Sequence, residues 1–459
     1  MSYYLGIDLG TSYFKAGLFD ERGDLKGLGR QPVPKISDGV TCELPVDAFW
    51  KTVRTCLDES LQMADIQVNE IKSASYSTQA NSFILLDARN NLLTPLILWP
   101  DLRASDRELP AVDADAYMNR TGLGVMPGVQ CTVAKVNWFR KYRPEVWQKV
   151  AAILSVSDFL IFSLTGQKTC DYSTAAMSGL FDVADCSWWC EQLENTGIRI
   201  EMLPLPQRMG ACAGKTTVKA ANLTGLPAGI PFYLGGLDHH MAAVGAGIPS
   251  NGYLCDSTGT VLSCVDYADS YHPQTGICVA PGLDAGRFFR MIYNENGARS
   301  LEWYRKNYAP EYTIPDLLKM AEKVEPGCGG LTARTCAFTY PGLSGFKHPD
   351  SSFEHEHPVD YRHGHYIRAL MESTAHSLHQ MAVALKNDSP LPAVVSSGGG
   401  SRSELWVNIK SGIVNTPFYI PECTELACKG AAITGALGIN TFGSYDDAVN
   451  VWVRFRKQL

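Results

Sequence analysis

The sequence has no long hydrophobic run and no basic stripe. Its apolar stretches are much shorter than the roughly 20 residues that a membrane-spanning helix needs, and its first four residues lack the basic region that opens a secretory signal. The 47 acidic and 40 basic side chains give a net charge of −7, with no Lys/Arg cluster that could neutralise a row of phosphates. We therefore expect a cytoplasmic protein that binds neither membranes nor nucleic acids.

Close cysteine pairs are also scarce. The 14 cysteines are spread from Cys42 to Cys428, and none belongs to a Cys-x-x-Cys pair. Free cysteines commonly behave as small buried hydrophobic residues, so we expect neither a disulfide nor a zinc site. With 45% hydrophobic and 19% charged residues, the chain is not disordered, collagen-like or a coiled coil. Its 459 residues are enough for two large globular domains.

The order of the predicted elements favours an α/β fold. Leu5, Ile7 and Leu9 alternate with small or polar residues, and the first three predicted strands form an antiparallel meander. The predicted strands cover residues 5–9, 14–19, the segment from 25 onward, 71–77, 83–87 and 393–397. Apolar residues at three- and four-residue spacing predict helices over 45–61, 133–142, 147–154 and 367–385.

Glycine and proline concentrate between Gly225 and Gly252, so we place a domain junction there and divide the chain into residues 1–247 and 248–459. The segment Asp8–Ser12 follows a predicted strand, and the similar Asp256–Thr260 follows the apolar residues 253–255. Two copies so far apart suit a duplicated domain whose halves face each other across a cleft, where ligand sites are common.

Both copies are glycine-rich turns that offer a threonine hydroxyl. Glycine lets backbone N–H groups approach a phosphate closely, and the hydroxyl adds a donor. Asp8 is a hard oxygen ligand suited to Mg2+, and Lys15 could contact a phosphate. The alternative for each copy is an ordinary turn at the end of a strand.

Asp238 directly follows Gly235–Leu237 and the strand-like residues 232–234, at the predicted junction. A carboxylate at this point could accept the proton of an attacking hydroxyl while Mg2+ and backbone donors hold the terminal phosphate of a nucleotide. The alternative is an aspartate that caps a helix beginning near Met241.

Three further segments are candidates for binding. Gly398–Gly400 precedes a helix for which Ser401–Glu404 fits a capping box, and its missing side chains would let an adenosine lie on the backbone; a tight turn is the alternative. Residues 77–81 and 99–103 offer amide, carboxylate, guanidinium and aromatic groups for a sugar, against the alternative of a surface ion pair. The histidines between His348 and His365 indicate a surface loop in preference to a metal site.

Taken in order, these motifs resemble the FGGY carbohydrate kinases, the family of xylulose, gluconate, ribulose and glycerol kinases. The resemblance runs through nearly the whole chain. It also includes Lys135–Trp138, Asp158, Leu164–Gly166, Asp171–Ala175, Gly179–Asp182, Thr224–Pro227, Gly245–Gly247, and Glu425 with Gly430–Ala432. It implies an α/β fold of two ribonuclease H-like domains of the actin/Hsp70-type ATPase kind, around a central cleft that closes on sugar and ATP.

The resemblance further implies ATP-dependent phosphorylation of a hydroxyl of a small ketose, polyol or sugar acid, with ATP and Mg2+. Asp238 would be the general base and Asp8 would position Mg2+. Residues 1–247 would bind the sugar and residues 248–459 the nucleotide. The implied nucleotide contacts are Gly10, Thr11, Ser12, Lys15, Gly259, Thr260, Gly399, Gly400 and Ser403. The implied sugar contacts are Gln79, Asn81, Trp99, Asp101, Arg103 and His239.

One departure from the family pattern concerns the sugar pocket. Xylulose kinases usually carry Gln-Met-His-Gly where this chain has Gln79-Ala80-Asn81-Ser82, so the substrate of that subfamily is not transferred. A nucleotide-driven switch of the actin or Hsp70 kind is one alternative, against which Asp238 and residues 99–103 speak. A sugar sensor without turnover is another, against which the retained phosphate-handling residues argue. The oligomeric state is left open, with a homodimer as one option.

Overall fold

A computed structural model describes residues 2–259, 261–294, 297–334, 352–355, 360–386 and 390–459. Of the predicted site residues, Thr260 lies outside the described residues, as do His348 and His357 of the histidine-rich segment. Within the described ranges, every helix is too short or too polar to span a bilayer.

The strands, in chain order, are β1 (Tyr3–Leu9), β2 (Tyr13–Phe19), β3 (Leu25–Pro32), β4 (Ile36–Ser37), β5 (Cys42–Leu44), β6 (Ile71–Thr78), β7 (Phe83–Leu86), β8 (Leu96–Ile97), β9 (Ala152–Ser155), β10 (Thr169–Asp171), β11 (Phe181–Asp182), β12 (Ser187–Trp188), β13 (Leu205–Gln207), β14 (Cys212–Lys215), β15 (Pro231–Tyr233), β16 (Gly236–Leu237), β17 (Leu254–Thr258), β18 (Leu262–Ala268), β19 (Cys278–Pro281), β20 (Phe288–Asn294), β21 (Leu331–Arg334), β22 (Ser352–His355), β23 (Val394–Ser397), β24 (Phe418–Pro421) and β25 (Phe455–Gln458).

The α-helices are α1 (Val46–Ala64), α2 (Ala114–Thr121), α3 (Thr132–Tyr142), α4 (Pro144–Trp147), α5 (Val156–Thr165), α6 (Tyr172–Ala176), α7 (Cys190–Thr196), α8 (Val218–Thr224), α9 (Asp238–Gly245), α10 (Ile248–Asn251), α11 (Arg299–Tyr308), α12 (Ile314–Ala321), α13 (His363–Lys386), α14 (Glu404–Val414), α15 (Leu426–Gly438) and α16 (Tyr445–Trp452).

The chain forms two compact units that interleave along the sequence. The first contains Met1–Ser250, Tyr267–Arg290 and Glu425–Val453, and the second contains Asn251–Asp266, Met291–Thr424 and Arg454–Leu459. The C-terminal helices α15 and α16 therefore belong to the first unit. The division at residue 247 into a sugar-binding and a nucleotide-binding domain stays a prediction.

The main sheet of the first unit has the strand order β14-β15-β6-β1-β2-β3. The predicted antiparallel meander is confirmed, because β1 pairs antiparallel with β2, and β2 with β3. On its other side β1 pairs parallel with β6, β6 pairs parallel with β15, and β14 closes the edge antiparallel to β15. Every residue of β1 is buried, as expected for a central strand covered on both faces.

A second seven-stranded sheet repeats this arrangement in its consecutive strands β20-β18-β17-β23-β24-β25, and β19 adds one further strand beside β20. There β17 pairs antiparallel with β18 and parallel with β23, β23 pairs parallel with β24, and β25 is antiparallel to β24. Strand β17 thus corresponds to β1, and β23 to β6. The duplication suggested by the two Asp-containing segments is present in the strand order.

Helices cover the first sheet in the way that its sequence pattern predicts. Helix α1 buries Phe49, Trp50, Val53 and Leu57, which confirms the predicted amphipathic helix, and it ends at Asp65 in a left-handed conformation. Helix α15 packs against β1, β6 and α9. Glycine permits the contact between α9 and α15, because a side chain on Gly430 would overlap the backbone of Met241.

Two local predictions were wrong. The predicted helix over residues 147–154 is instead the end of α4, at Trp147, followed by strand β9, which pairs with β7. A short buried apolar run does not distinguish strand from helix by its period. The capping box at Ser401–Glu404 is also absent: Gly399–Arg402 form a 3-10 turn, and α14 begins one residue after its N-cap, Ser403.

Candidate active site

Three parallel strands of the first unit end at the same edge of the sheet. In the register of the sheet Asp8 of β1 lies opposite Ser77 of β6, and Leu237 of β16 lies opposite Thr78. The residues that follow these strands therefore share one edge. This edge brings the predicted phosphate turn at residues 10–12, the segment beginning at Gln79, and Asp238 together from three separate parts of the chain.

Asp8, Lys15 and Glu425 form a charged cluster at this edge. The Lys15 Nζ lies 2.8 Å from Glu425 Oε2 and 3.4 Å from Asp8 Oδ2. The Ser77 hydroxyl donates to Asp8 Oδ1 at 2.9 Å. The Lys15 side chain is 22% exposed, so it can reach an anion, whereas both carboxylates are nearly covered.

The pKa values of this cluster are coupled. Burial raises the pKa of Asp8, and the nearby Asp238 and Glu425 carboxylates raise it further against the opposing effects of Lys15 and Ser77. Burial opposes the charged form of Lys15, but Asp8 and Glu425 outweigh it and raise the pKa of Lys15. Lys15 is therefore a fixed positive charge beside an acidic group that a cation would stabilise.

Asp238 is the first residue of α9 and has a partly exposed side chain, with 30% of its surface accessible. Its Oδ1 accepts the backbone N–H of His239 at 2.8 Å, and the His239 Nε2 lies 4.0 Å away. The N-cap position is Leu237, without a side-chain cap. The simple capping alternative therefore does not account for this carboxylate.

A buried network fixes the backbone immediately before Asp238. Ser173 accepts the backbone N–H of Leu237 at 3.0 Å and donates to Asp171 Oδ1 at 2.7 Å. The other Asp171 oxygen accepts the Tyr76 hydroxyl at 2.8 Å. Since Tyr76 is on β6, this network ties the start of α9 to the central sheet.

Gln79 and Trp99, which are predicted to contact the acceptor sugar, lie beside the predicted phosphate turn. The Gln79 amide donates to the Gly10 carbonyl at 3.2 Å and accepts from Ser82, whose hydroxyl in turn accepts the Trp99 backbone N–H at 2.9 Å. The Trp99 indole N–H donates to the Thr11 hydroxyl. Gly10 and Thr11 are half-buried, and Ser12 is exposed at the turn.

Asp101 and Arg103 form a buried pair, which excludes the alternative of a surface ion pair. Arg103 Nε and Nη2 donate to the two Asp101 oxygens at 2.7 and 2.8 Å, and Nη2 also lies 2.5 Å from Glu43. Asp101 Oδ2 accepts the Cys42 backbone N–H at 2.6 Å. Within the described residues both charges have partners, so this pair holds the loop that carries Trp99.

Asn81 is held by the first turn of α3. It adopts a left-handed backbone conformation, and its Oδ1 accepts both the N–H and the hydroxyl of Thr132, at 2.9 and 3.1 Å. Asparagine tolerates this conformation better than most residues do. Its role in sugar binding, like those of Gln79, Trp99, Asp101, Arg103 and His239, stays a prediction.

The second unit contains its own buried acidic residue, Asp256. Lys410 Nζ donates to Asp256 Oδ2 and to the Thr258 hydroxyl, both at 2.6 Å, and Ser396 donates to Asp256 at 2.7 Å. Ser396 lies opposite Asp256 in the sheet, as Ser77 lies opposite Asp8. The second aspartate is closed off by a fully buried lysine, whereas Lys15 remains partly exposed.

The predicted nucleotide segment lies against Thr258 within the second unit. Gly400 is buried, and a side chain there would come within 2.8 Å of the Thr258 side chain, whereas Gly399 is exposed. The backbone N–H of Gly259 donates to the Val261 carbonyl, and the Ser403 hydroxyl accepts the Trp406 N–H. Ser403 therefore caps α14, and the nucleotide contacts of these residues stay predictions.

Asp8 and Asp238 are carboxylates, which are hard oxygen donors of the kind that Mg2+ prefers. In the described part of the chain no three His, Cys, Asp or Glu side chains converge as a metal cage. Mg2+ usually keeps several waters and is held by one or two carboxylates together with substrate phosphates. Asp8, whose burial disfavours its charge, with Asp238 nearby, fits that mode.

Sequence reasoning did not assign roles to Glu425, Lys410 or Ser173. Glu425 precedes helix α15 and does not directly follow a strand of the first sheet. Lys410 lies in the middle of α14. Neither position has a local sequence pattern that indicates a site residue. The matching pair of serines, Ser77 and Ser396, could have been found by extending the internal repeat to β6 and β23, the strands that pair parallel with β1 and β17.

The repeated sheet order, with an acidic residue on the first strand of each copy, defines a protein of the actin/Hsp70-type ATPase fold with two domains. Its structure is similar to a ligand-bound xylulose kinase from Lactobacillus acidophilus, with a TM-score of 0.85 and 20% sequence identity, over 100% of this chain and 93% of that one. That comparison confirms the predicted fold class.

The family follows from the sequence. Residues 3–245 match the N-terminal domain, and residues 297–439 the C-terminal domain, of the FGGY family of carbohydrate kinases, to which this chain therefore belongs. It is 28% identical to a xylulose kinase from Bacillus subtilis (strain 168), covering 99% of this chain and 92% of that protein. It is 25% identical to a gluconokinase from the same strain, covering 97% and 89%. The predicted family and enzyme class, a phosphotransferase with an alcohol acceptor, are confirmed.

Proposed function

We propose that this kinase transfers the terminal phosphate of ATP to a hydroxyl of a small ketose, polyol or sugar acid, with Asp238 as the general base. The observation that carries the proposal is the common sheet edge of Asp8, Lys15 and Asp238, where a partly exposed carboxylate lies beside a lysine and a buried acid. The names of the relatives, a xylulose kinase and a gluconokinase, support this range of acceptors.

Asp238 accepts the proton of the attacking hydroxyl in this proposal. Its partial exposure leaves one side of the carboxylate accessible, and the bond from His239 N–H to Oδ1 fixes its orientation. Orienting a base against one hydroxyl supports general base catalysis, because proton transfer needs hydrogen-bond distance. His239, which is next to Asp238, is proposed as a further contact to the acceptor sugar.

Lys15 and the turn at residues 10–12 bind phosphate in the same proposal. The Lys15 ammonium is held toward the edge of the sheet by Asp8 and Glu425, so it meets the transferred phosphate with little reorganisation. Asp8 would hold Mg2+, which neutralises phosphate charge when it is bound. Gly259, Thr260, Gly399, Gly400 and Ser403 are proposed to contact the nucleotide.

The first experiment measures ADP release with a panel of pentuloses, hexuloses, polyols and aldonic acids. Acceptor-dependent release supports the proposal and identifies the substrate class. ATP hydrolysis that is independent of any sugar would favour a nucleotide switch, and binding of a sugar without release would favour a sensor.

The role of Asp238 is tested by Asp238→Asn. We expect turnover to fall by about a thousandfold or more, with ATP binding retained, because the amide cannot accept the proton. Asp115→Asn is the matched control, since Asp115 also lies in the first turn of a helix, α2, but on the surface. Near-normal turnover of Asp238→Asn would remove Asp238 from the role of base.

A further inference from the structure

Lys135 is a buried lysine whose ammonium contacts backbone carbonyls. It lies on α3 with no exposed surface. Its Nζ donates to the carbonyls of Asn81, Leu98 and Trp99 at 3.0, 3.1 and 3.4 Å. An ammonium has three N–H donors, so these three carbonyls use its full capacity.

The three carbonyls belong to two separate segments that carry the predicted acceptor contacts. Asn81 is in the segment 79–82, and Leu98 and Trp99 open the segment 98–103. One turn earlier on the same helix, Thr132 holds the Asn81 side chain. The start of α3 therefore fixes both segments, and Lys135 bridges them.

The charge of Lys135 is costly in this environment. Burial lowers the pKa of Lys135 to about 7; Asp101 opposes the shift, and Arg103 adds to it. The Asp101 carboxylate bonds to Arg103 and to the Cys42 N–H instead of to Lys135. A buried cation is retained only where its interactions compensate for lost hydration, and here they are backbone carbonyls of the acceptor segments.

We propose that Lys135 is a positioning residue for the acceptor sugar. Lys135 holds the segments 79–82 and 98–103 in register, so that Gln79 and Trp99 present fixed polar groups. This inference rests on the proposed sugar phosphorylation. It assigns Lys135 no contact with the sugar, because its three donors are occupied by backbone. Its loss should therefore change acceptor affinity more than nucleotide affinity.

The test compares Lys135→Met, which removes all donors, with Lys135→Gln, whose amide retains two. We expect Lys135→Met to raise the KM for the best acceptor about tenfold or more and the KM for ATP less than about twofold, with Lys135→Gln between it and wild type. Independently of turnover, hydrogen–deuterium exchange should increase at residues 79–82 and 98–103 in Lys135→Met.

Lys141→Met is the matched control, because Lys141 lies on the same helix but is exposed and pairs with Glu108. Equal increases in both KM values, or unchanged exchange in the two segments, would overturn the proposal. So would loss of the folded state in both Lys135 variants, since the lysine would then be required for folding. A wild-type enzyme that accepts no sugar would contradict the proposed function instead, while the exchange measurement would still report on Lys135.

Discussion

The indole N–H of Trp99 donates a hydrogen bond to the hydroxyl of Thr11, with 2.8 Å between the two atoms. Thr11 belongs to the predicted phosphate turn, residues 10–12, and Trp99 to residues 98–103, which are predicted to contact the acceptor sugar. A second path joins the same two parts, from the Trp99 backbone through Ser82 and Gln79 to the Gly10 carbonyl. Residues 98–103 and the predicted phosphate turn are thus linked in a closed ring of hydrogen bonds, so we expect displacement of one to displace the other.

This ring predicts strong coupling between Trp99 and Thr11. Trp99→Phe and Thr11→Val each remove one partner of the bond, and we expect each to lower kcat/KM for the acceptor about tenfold. The double variant should lose little more than either single variant, because residues that share one interaction are not additive. Steady-state kinetics on the four proteins measures the coupling.

The control for the ring is Trp147→Phe, a half-buried tryptophan on α4. It should leave kcat/KM unchanged and combine additively with Thr11→Val. Additive losses for Trp99→Phe and Thr11→Val would show that the bond does not couple the two segments.

Asp8→Asn is expected to stabilise the fold while lowering turnover. The folded-state pKa of Asp8 lies above its ordinary value, chiefly through burial, so folding favours the protonated acid. The cost of ionising Asp8 in the fold is therefore complete above the folded-state pKa, and it disappears as the pH falls from that pKa toward the ordinary value of 3.8. The Tm of Asp8→Asn should exceed that of wild type more at pH 8 than at pH 4, which is close to that ordinary value.

Thermal unfolding across this pH range measures the stability effect. ADP release measures turnover, which should fall about a hundredfold or more, because an amide is a weaker ligand than a carboxylate for a cation that holds phosphates. Asp284→Asn, a change at an exposed aspartate, provides the control. A lower Tm for Asp8→Asn at pH 8 would contradict the prediction.

Local signals predicted much of the fold but less of the site. Alternation at Leu5, Ile7 and Leu9, and helical spacing in residues 45–61 and 367–385, reflect short-range geometry, and the structure contains the corresponding strand and helices. Asp8 is the penultimate residue of β1, and Asp238 directly follows β16. Their approach depends on parallel pairing of β1, β6 and β16, which spacing along the chain does not encode.

The partners of the site residues were the least predictable part. Glu425 reaches Lys15 because α15 returns to the first sheet, and Lys410 reaches Asp256 from a helix far along the chain. Ion pairs of this kind arise from packing between distant elements. The family resemblance supplied roles for single residues, but it contained no information on which hydrogen bonds Gln79, Asn81 and Trp99 already make.

His240 is expected to make the protein sensitive to acid. It is buried and stacks on Phe289, with 4.6 Å between the two ring centroids. Neither ring nitrogen has a hydrogen-bond partner among the described residues. Burial lowers its pKa from 6.5 to about 3, with a further contribution from His239. The unfolded chain therefore binds a proton first, and stability falls as the pH drops from about 6.5 toward 3.

His240→Leu should remove this acid-sensitive component and, at pH 8, stabilise the fold by about 1 kcal/mol, because an unsatisfied polar group is replaced by an apolar one. Urea unfolding at several pH values measures the change, with the exposed His272→Leu as control. An unchanged pH dependence in His240→Leu would contradict the prediction, because the imidazole would then bind a proton as readily in the folded protein as in the unfolded chain.

Lys410→Met should destabilise the second unit strongly. The lysine and Asp256 are both fully buried, so removing the cation leaves an uncompensated carboxylate, with an expected loss of about 3–5 kcal/mol. Adding Asp256→Asn should restore part of the stability, because the stranded charge disappears. Lys457→Met is the control: its pair with Glu404 is exposed, and the expected loss is below about 1 kcal/mol. Similar losses for the two lysines would contradict the prediction.

Gly399 and Gly400 should respond differently to alanine. At Gly400 the new methyl group would lie 2.8 Å from the Thr258 side chain, so Gly400→Ala should destabilise the protein by about 1–3 kcal/mol. At the exposed Gly399 the nearest atom to the new methyl group, the carbonyl oxygen of Thr258, is 4.0 Å away, and the fold should tolerate the change. If an adenosine lies on this backbone, Gly399→Ala should nevertheless raise the KM for ATP about tenfold, because the methyl group occupies its place. Urea unfolding and ATP kinetics on the two variants separate these effects, and a wild-type KM for ATP in Gly399→Ala would exclude Gly399 from the nucleotide site.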